Sequence, residues 1–307
     1  MSQQAAHSAA HSVTRPTALI RGALGWLVLT LGLGVSIGLV EVLDQRIGLP
    51  MVARFVVQAL VMSSLVVPTV LLLRTRLDGR TLRGLGWAQP LPRPVAIGTS
   101  VGLVSGVVVW LPALLAGWIR VDHVDVAEFA TFLTLGGAVL VLYEALPEEL
   151  ALRGYAWTNL RDGWGSAVAT VVVTALFPLS GPAASLVATP VVALLGGTPA
   201  ITLGFPGGDA VAYVLQLVLF GLALVAARRV PLPGALFVAV AFHWTSLTVT
   251  RTLLGGLSWM PSGWDVTFVE PDAVALVLVQ LVVGGLLFVA LRSLGRRRAP
   301  RQDRRID

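Results

Sequence analysis

Runs of roughly 20 apolar residues recur along the whole chain, at about 18–40, 51–73, 94–118, 129–147, 164–195, 210–227, 232–254 and 272–291. Coiled as a helix, such a run spans the hydrocarbon core of a bilayer. An α-helix also pairs its backbone N–H and C=O groups within the segment, which a solvent without water demands. The expected fold is therefore all-α: a polytopic membrane bundle of about eight transmembrane helices. Composition agrees, with 56% of the 307 residues hydrophobic and 12% charged, against about 25% charged in soluble domains.

Charge gives the bundle a direction. All 22 cationic residues are arginine. They gather at Arg74, Arg76, Arg80, Arg83 and Arg93, at Arg228 and Arg229, and in a tail holding Arg292, Arg296, Arg297, Arg298, Arg301, Arg304 and Arg305. The alternate connections lean acidic, with Glu41, Asp44, Asp122, Asp125, Glu128, Asp209, Asp265 and Glu270. Eight spans with both termini cytoplasmic put every arginine cluster inside, as expected of a multi-pass cell-membrane protein. The net charge of +6 is thus read as membrane orientation, with lipid as the partner, and not as a nucleic-acid face. Residues 1–17, with His7 and His11, read as a disordered cytoplasmic tail. The first apolar run is too long for a signal-peptide core and reads as a retained span.

Further divisions follow: a two-span segment with a basic loop over 18–93, a core over 94–254, and a last span with a basic cytoplasmic tail over 255–307. Gly86-Trp87 and the Pro90–Pro94 stretch read as a turn. The fifth run carries Pro178, Gly181-Pro182, Pro190 and Gly196-Gly197, so it is expected to be kinked or broken. Such a break is either a structural kink or backbone that lines a cavity.

The heptapeptide Glu148-Glu149-Leu150-Ala151-Leu152-Arg153-Gly154 places two carboxylates and a guanidinium beside apolar spans. Ionisable groups at that depth are costly and mark functional sites. Glu149 and Arg153 are four apart, in the order that favours an ion pair on one helix. Glu148 lies about 100° around and points elsewhere. One carboxylate can then be held while the other takes a proton from water. A plainer reading also stands: Pro147 can open a helix whose first turn welcomes acidic residues. His243, in the seventh run, is a proton carrier, a metal ligand or a simple hydrogen-bond partner. A catalytic zinc usually takes three protein ligands plus water; Glu148, Glu149 and His243 form the candidate set. The chain has no cysteine, and no HExxH, GxSxG or Walker-type loop, so those chemistries have no carrier here.

These residues resemble the CPBP family, the CAAX proteases and bacteriocin-processing (Abi) proteins. Its first motif, EExxxR followed by Gly, is matched by Glu148, Glu149, Arg153 and Gly154, with Pro147 before it. Its second, FxxxH, is met by Phe177 but has Gly181 at the histidine position. Its third, a histidine followed four residues on by Asn, is met by His243 but has Leu247 in place of Asn. The resemblance covers about 94–254 and implies an intramembrane metallo-endopeptidase. Glu148 would be the base that activates water, Glu149 would be held by Arg153, and His243 would ligate zinc or stabilise the oxyanion. A membrane-anchored or prenylated peptide would be the substrate. Gly181 and Leu247 motivate an alternative, a pseudo-protease that binds a membrane peptide or acts as an immunity-type scaffold. A small transporter is a third reading; it calls for paired broken spans in two related halves, and one such span is present.

Overall fold

Thr14 starts the first helix. Its hydroxyl accepts a hydrogen bond from the amide of Thr17 (3.4 Å), and Pro16 fills the first turn, where no N–H is needed. The computed structural model describes residues 13–199 and 209–298, without the side chains of the last three. Most of the expected N-terminal tail, His7 and His11 included, lies outside the described residues, as do Arg301, Arg304 and Arg305. The expectation of disorder to residue 17 is corrected, because helix α1 already begins at Arg15.

The described residues form eight helices: α1 (Arg15–Ile47), α2 (Met51–Leu77), α3 (Pro92–Leu115), α4 (Val126–Leu176), α5 (Ser180–Leu194), α6 (Ala210–Arg228), α7 (Ala235–Leu253) and α8 (Leu276–Arg298). The chain is an all-α bundle, and six helices are long and apolar enough to cross a membrane. In no case is more than 44% of the crossing segment buried. Leu27, Leu31, Val107, Leu111, Leu215, Leu286 and Val289 point outward. An apolar exterior on that scale suits lipid rather than water.

Six, rather than the expected eight, has two physical causes. The fourth apolar run does not stop at the heptapeptide: α4 continues through it to Gly165, whose φ of 83° reverses the chain. That reversal brings Trp157 Nε1 to the Thr170 hydroxyl (3.3 Å), although thirteen residues separate them. The fifth run, which begins at that turn, breaks as expected, but only at 177–179; Gly181-Pro182 falls in the first turn of α5 and Pro190 sits inside it without interruption. The result is a short return arm over 166–176 and a 15-residue α5, too short on its own. In the seventh run, α7 is 19 residues long, but its buried residues include His243, Thr245, Ser246, Thr248, Thr250 and Thr252.

Two halves pack around one core. Helix α1 lies against α2, α5 and both arms of α4; α3 lies against α7 and α8, with α6 beside α7 and α8. Leu29, Met62, Leu150, Phe177, Phe220 and Phe242 join these halves in one buried cluster. The α3–α7 contact depends on Gly98, Gly102 and Gly106, one every four residues. A Cβ on Gly98 would come within 2.3 Å of the Val238 carbonyl, and one on Gly102 within 2.8 Å of Thr245 Cβ. This is the small-residue packing by which helices in membranes approach closely, and it sets the height of His243 in the bundle.

The ends differ in chemistry. At one, Arg80 pairs with Asp162 (2.8 Å) and Arg228 donates to the Gly84 carbonyl (3.3 Å), which brings three connections together, two of them carrying arginine clusters. At the other, Arg54 meets Asp44 (2.8 Å), and two two-stranded sheets that the apolar runs did not announce cover the helix ends. Strand β1 (Ile119–Val124) pairs antiparallel with β4 (Trp264–Phe268), with a bulge between Val121 and His123; β2 (Gly256–Leu257) and β3 (Met260–Pro261) form a minimal ladder between them in sequence. There the Thr267 hydroxyl and then the Arg120 guanidinium bond to Asp122 and hold its carboxyl below the usual carboxylate range.

Candidate functional site

The heptapeptide lies in unusual backbone. Around Pro147, which offers no N–H for its helical bond, α4 opens into wide π turns at Val141–Ala145 and Glu149–Ala156. Single wide turns inside α-helices recur at functional sites. Pro147 does not open a new helix here, so the plainer reading of the motif as a helix start is set aside.

The turn delivers Glu149 and Arg153 to the centre of the bundle, where both are fully buried. Glu149 Oε1 accepts two hydrogen bonds, from Arg153 Nη1 (3.1 Å) and from His243 Nδ1–H on α7 (3.1 Å). Glu149 and His243 are 94 residues apart in sequence, yet they share one hydrogen bond. The expected pairing of Glu149 with Arg153 is present in the geometry; of the candidate set Glu148, Glu149 and His243, Glu149 and His243 meet and Glu148 does not join them.

Aromatic rings seal this triad. The Arg153 guanidinium lies 4.2 Å from the centroid of Phe177, and Phe220 meets the His243 ring edge-on at 4.7 Å. Phe177 thus covers the charge while Gly181, one turn further on, brings no imidazole. On α6, Gly221 leaves space for Arg153: a Cβ there would lie 3.3 Å from Nη2. Neither Phe220 nor Gly221 stands out in an apolar run, and no pattern in the sequence would have found them. Three polar atoms of the triad keep unused capacity: Glu149 Oε2, Arg153 Nε and Arg153 Nη2 are buried without a hydrogen-bond partner.

Glu148 stands apart. It is partly exposed, and among the described residues no hydrogen bond reaches its carboxylate. Glu144 lies near it, one turn back, and Tyr143 accepts a bond from Gln58 Nε2 (2.8 Å) on α2. The carboxylates of Glu148 and Glu149 therefore occupy two environments, one held and one free. Leu247 packs against the core one turn beyond His243, where a side-chain amide would add a donor.

Metal ligation was expected from Glu148, Glu149 and His243. Among the described residues no three His, Asp or Glu side chains gather as a metal cage. Glu149 Oε1 and His243 Nδ1 are engaged with each other, which leaves Glu149 Oε2 and the second ring nitrogen of His243 for any further ligand.

A second polar centre lies toward the arginine-rich end. Asp78, with a fully buried side chain, accepts from Arg21 Nε (2.9 Å), Arg74 Nη1 (3.3 Å), the Tyr155 hydroxyl (3.1 Å) and Asn159 Nδ2 (3.3 Å). It ties α1, α2 and α4 together directly below the triad. A signal for it existed, because Asp78 is the one acidic residue among the arginines of its connection. No protein-family model matches this sequence, and neither a curated protein nor a solved structure gives a significant match to the chain.

Proposed function

We propose that this chain is an intramembrane endopeptidase of the CPBP type, in which Glu148 activates water while Arg153 and His243 hold Glu149 in place. One observation carries the reading: two adjacent carboxylates are sorted into a locked, buried partner and a partly exposed one with no hydrogen bond. General base catalysis needs a carboxylate that water and substrate reach, and a neighbour that does not compete for the proton. The substrate would be a membrane-anchored or prenylated peptide, bound where the apolar exterior meets the site.

Cleavage of such a peptide by purified protein tests this. Glu148→Ala should lower the rate by about 10²–10⁴-fold, the usual contribution of a positioned base, with the fold intact because Glu148 holds no partner. Equal cleavage by both proteins, or none by wild type across anchored and prenylated peptides, removes the catalytic claim.

A second reading has its own observation. Phe177 closes over Arg153, and neither Gly181 nor Leu247 supplies the polar group of the family pattern, which suits a pseudo-protease that binds a peptide without cutting it. That protein would retain an anchored peptide intact, and Glu148→Ala would not change its affinity.

The proposed location is the cell membrane, with the arginine-rich end and both termini cytoplasmic. The absence of native cysteine makes this simple to test. In intact cells, Thr267→Cys should react with an impermeant maleimide and Arg83→Cys should not; the reverse pattern inverts the topology.

A further inference from the structure

Below the Asp78 centre, at the arginine-rich end, two open clefts adjoin. The first, of about 340 Å³, is lined by Trp157, Arg161, Ser166, Arg228, Arg229 and Arg292, together with Val230. The second, of about 560 Å³, shares Arg161 and Arg228 and adds Arg83. Among the described residues no acidic side chain lines either cleft. Asp162, the nearest acid, is turned to Arg80 (2.8 Å) and to Arg161 (2.7 Å).

Arg228 is the informative member. It is 92% buried, from a residual exposure of 8%. Among the described residues its one hydrogen bond runs from Nη2 to the neutral carbonyl of Gly84 (3.3 Å), and its Nε has no partner there. Trp157 lies 5.6 Å from its guanidinium carbon and Arg161 stacks on the same ring at 5.1 Å, so the two cations flank one indole. Among the described residues no carboxylate pairs with Arg228. A buried cation without a counter-charge is costly, and a second guanidinium alongside adds to the cost. The arrangement calls for an anion.

We propose that this cleft binds a phosphate group. Guanidinium forks match the oxygens of phosphate in pairs, and four arginines around one cleft suit a group of high charge density rather than a single carboxylate. The Ser166 hydroxyl adds a neutral donor. Trp157 and Val230 give the cleft an apolar wall at the level where the spans end, which is where a phospholipid head group lies. Soluble phosphate shares the same chemistry. The site is separate from the Glu149 triad: Arg228 is seven residues beyond Gly221 on α6, or about 10 Å along the helix. The proposal stands whether or not Glu148 is catalytic.

The test uses the full chain in a phosphate-free maltoside detergent, with thermal unfolding as the readout. Phosphatidylglycerol in mixed micelles should raise Tm by roughly 5–10 °C at saturation, from the linkage between binding and unfolding. Arg228→Gln should abolish the rise. Because Arg228 also holds Gly84, the rim variant Arg161→Gln/Arg292→Gln is the second arm, and it should lose at least half of the rise while folding normally. A rise with phosphatidylglycerol alone identifies the lipid head group; a rise with inorganic phosphate as well, beyond that of sodium chloride at equal ionic strength, identifies free phosphate as a ligand. No rise with either, or an undiminished rise in both variants, overturns the proposal.

Discussion

Glu149→Ala is expected to destabilise the protein by about 3–5 kcal/mol, the cost of breaking a buried ion pair from one side. Its carboxylate is the single acceptor shared by Arg153 and His243. Without it, Arg153 stays buried with Phe177 as its main neighbour, and its Nε and Nη2 are already without partners. For a chain of this size the loss reads as a fall in Tm of roughly 2–4 °C per kcal/mol. A double replacement, Glu149→Leu with Arg153→Met, removes both charges and should stand closer to wild type than either single change. Thermal unfolding of these variants and wild type in one detergent decides the matter. A Glu149→Ala protein as stable as wild type would show that Arg153 finds another counter-charge, and the held-partner half of the proposed mechanism would go with it. The comparison also separates the two carboxylates, since Glu148→Ala is expected to lose turnover and keep its Tm.

The second large effect is expected at Asp78. Asp78→Ala deprives Arg21 and Arg74 of their shared anion and leaves the Tyr155 hydroxyl and one Asn159 donor without their acceptor. The cost should again be about 3–5 kcal/mol, and it should persist at high salt, because buried charges are screened far less than exposed ones. Asp78→Asn keeps the shape and part of the hydrogen bonding but not the charge, and should fall between. These arms are measured by Tm and by the rate of proteolysis at the basic end of the bundle. An Asp78→Ala protein that unfolds with wild type would mean the network contributes little beyond packing.

How much of this could be read from the sequence depends on the range of the interaction. The helices followed from the apolar runs, and the Glu149–Arg153 pair from a spacing of four. Both are local properties. The break near 177–179 was also legible, although the proline-rich run did not say which of its breakers would act: Pro190 lies inside α5 because a proline ring is tolerated where neighbouring backbone adjusts. The hairpin at Gly165 and the continuation of α4 through Pro147 were not legible, since each depends on which hydrogen bonds the backbone gives up. The meeting of both carboxylates with His243 was a wager on tertiary contact; Glu149 alone meets it, where α7 sits at the height that Gly98, Gly102 and Gly106 allow. Phe220 and Gly221 look like any other residues of an apolar span. The burial of Asp78 was hidden because a lone acid in a basic connection looks the same on the surface as in the interior.

The widened turn at Glu149–Ala156 has a consequence for how such a motif tolerates change. A π turn carries a surplus residue relative to regular helix. Excising one residue at 150–152 would restore ordinary pitch, leave the helix beyond the turn facing much as before, and bring Glu149 and Arg153 to a spacing of three. The wide turn that carries Glu149 and Arg153 into the core would be lost, so the buried pair would be disturbed by a single deletion that removes neither member. Spacing is thus the more fragile inheritance of this segment, and insertions or deletions within it should be rarer in evolution than exchanges of its apolar letters.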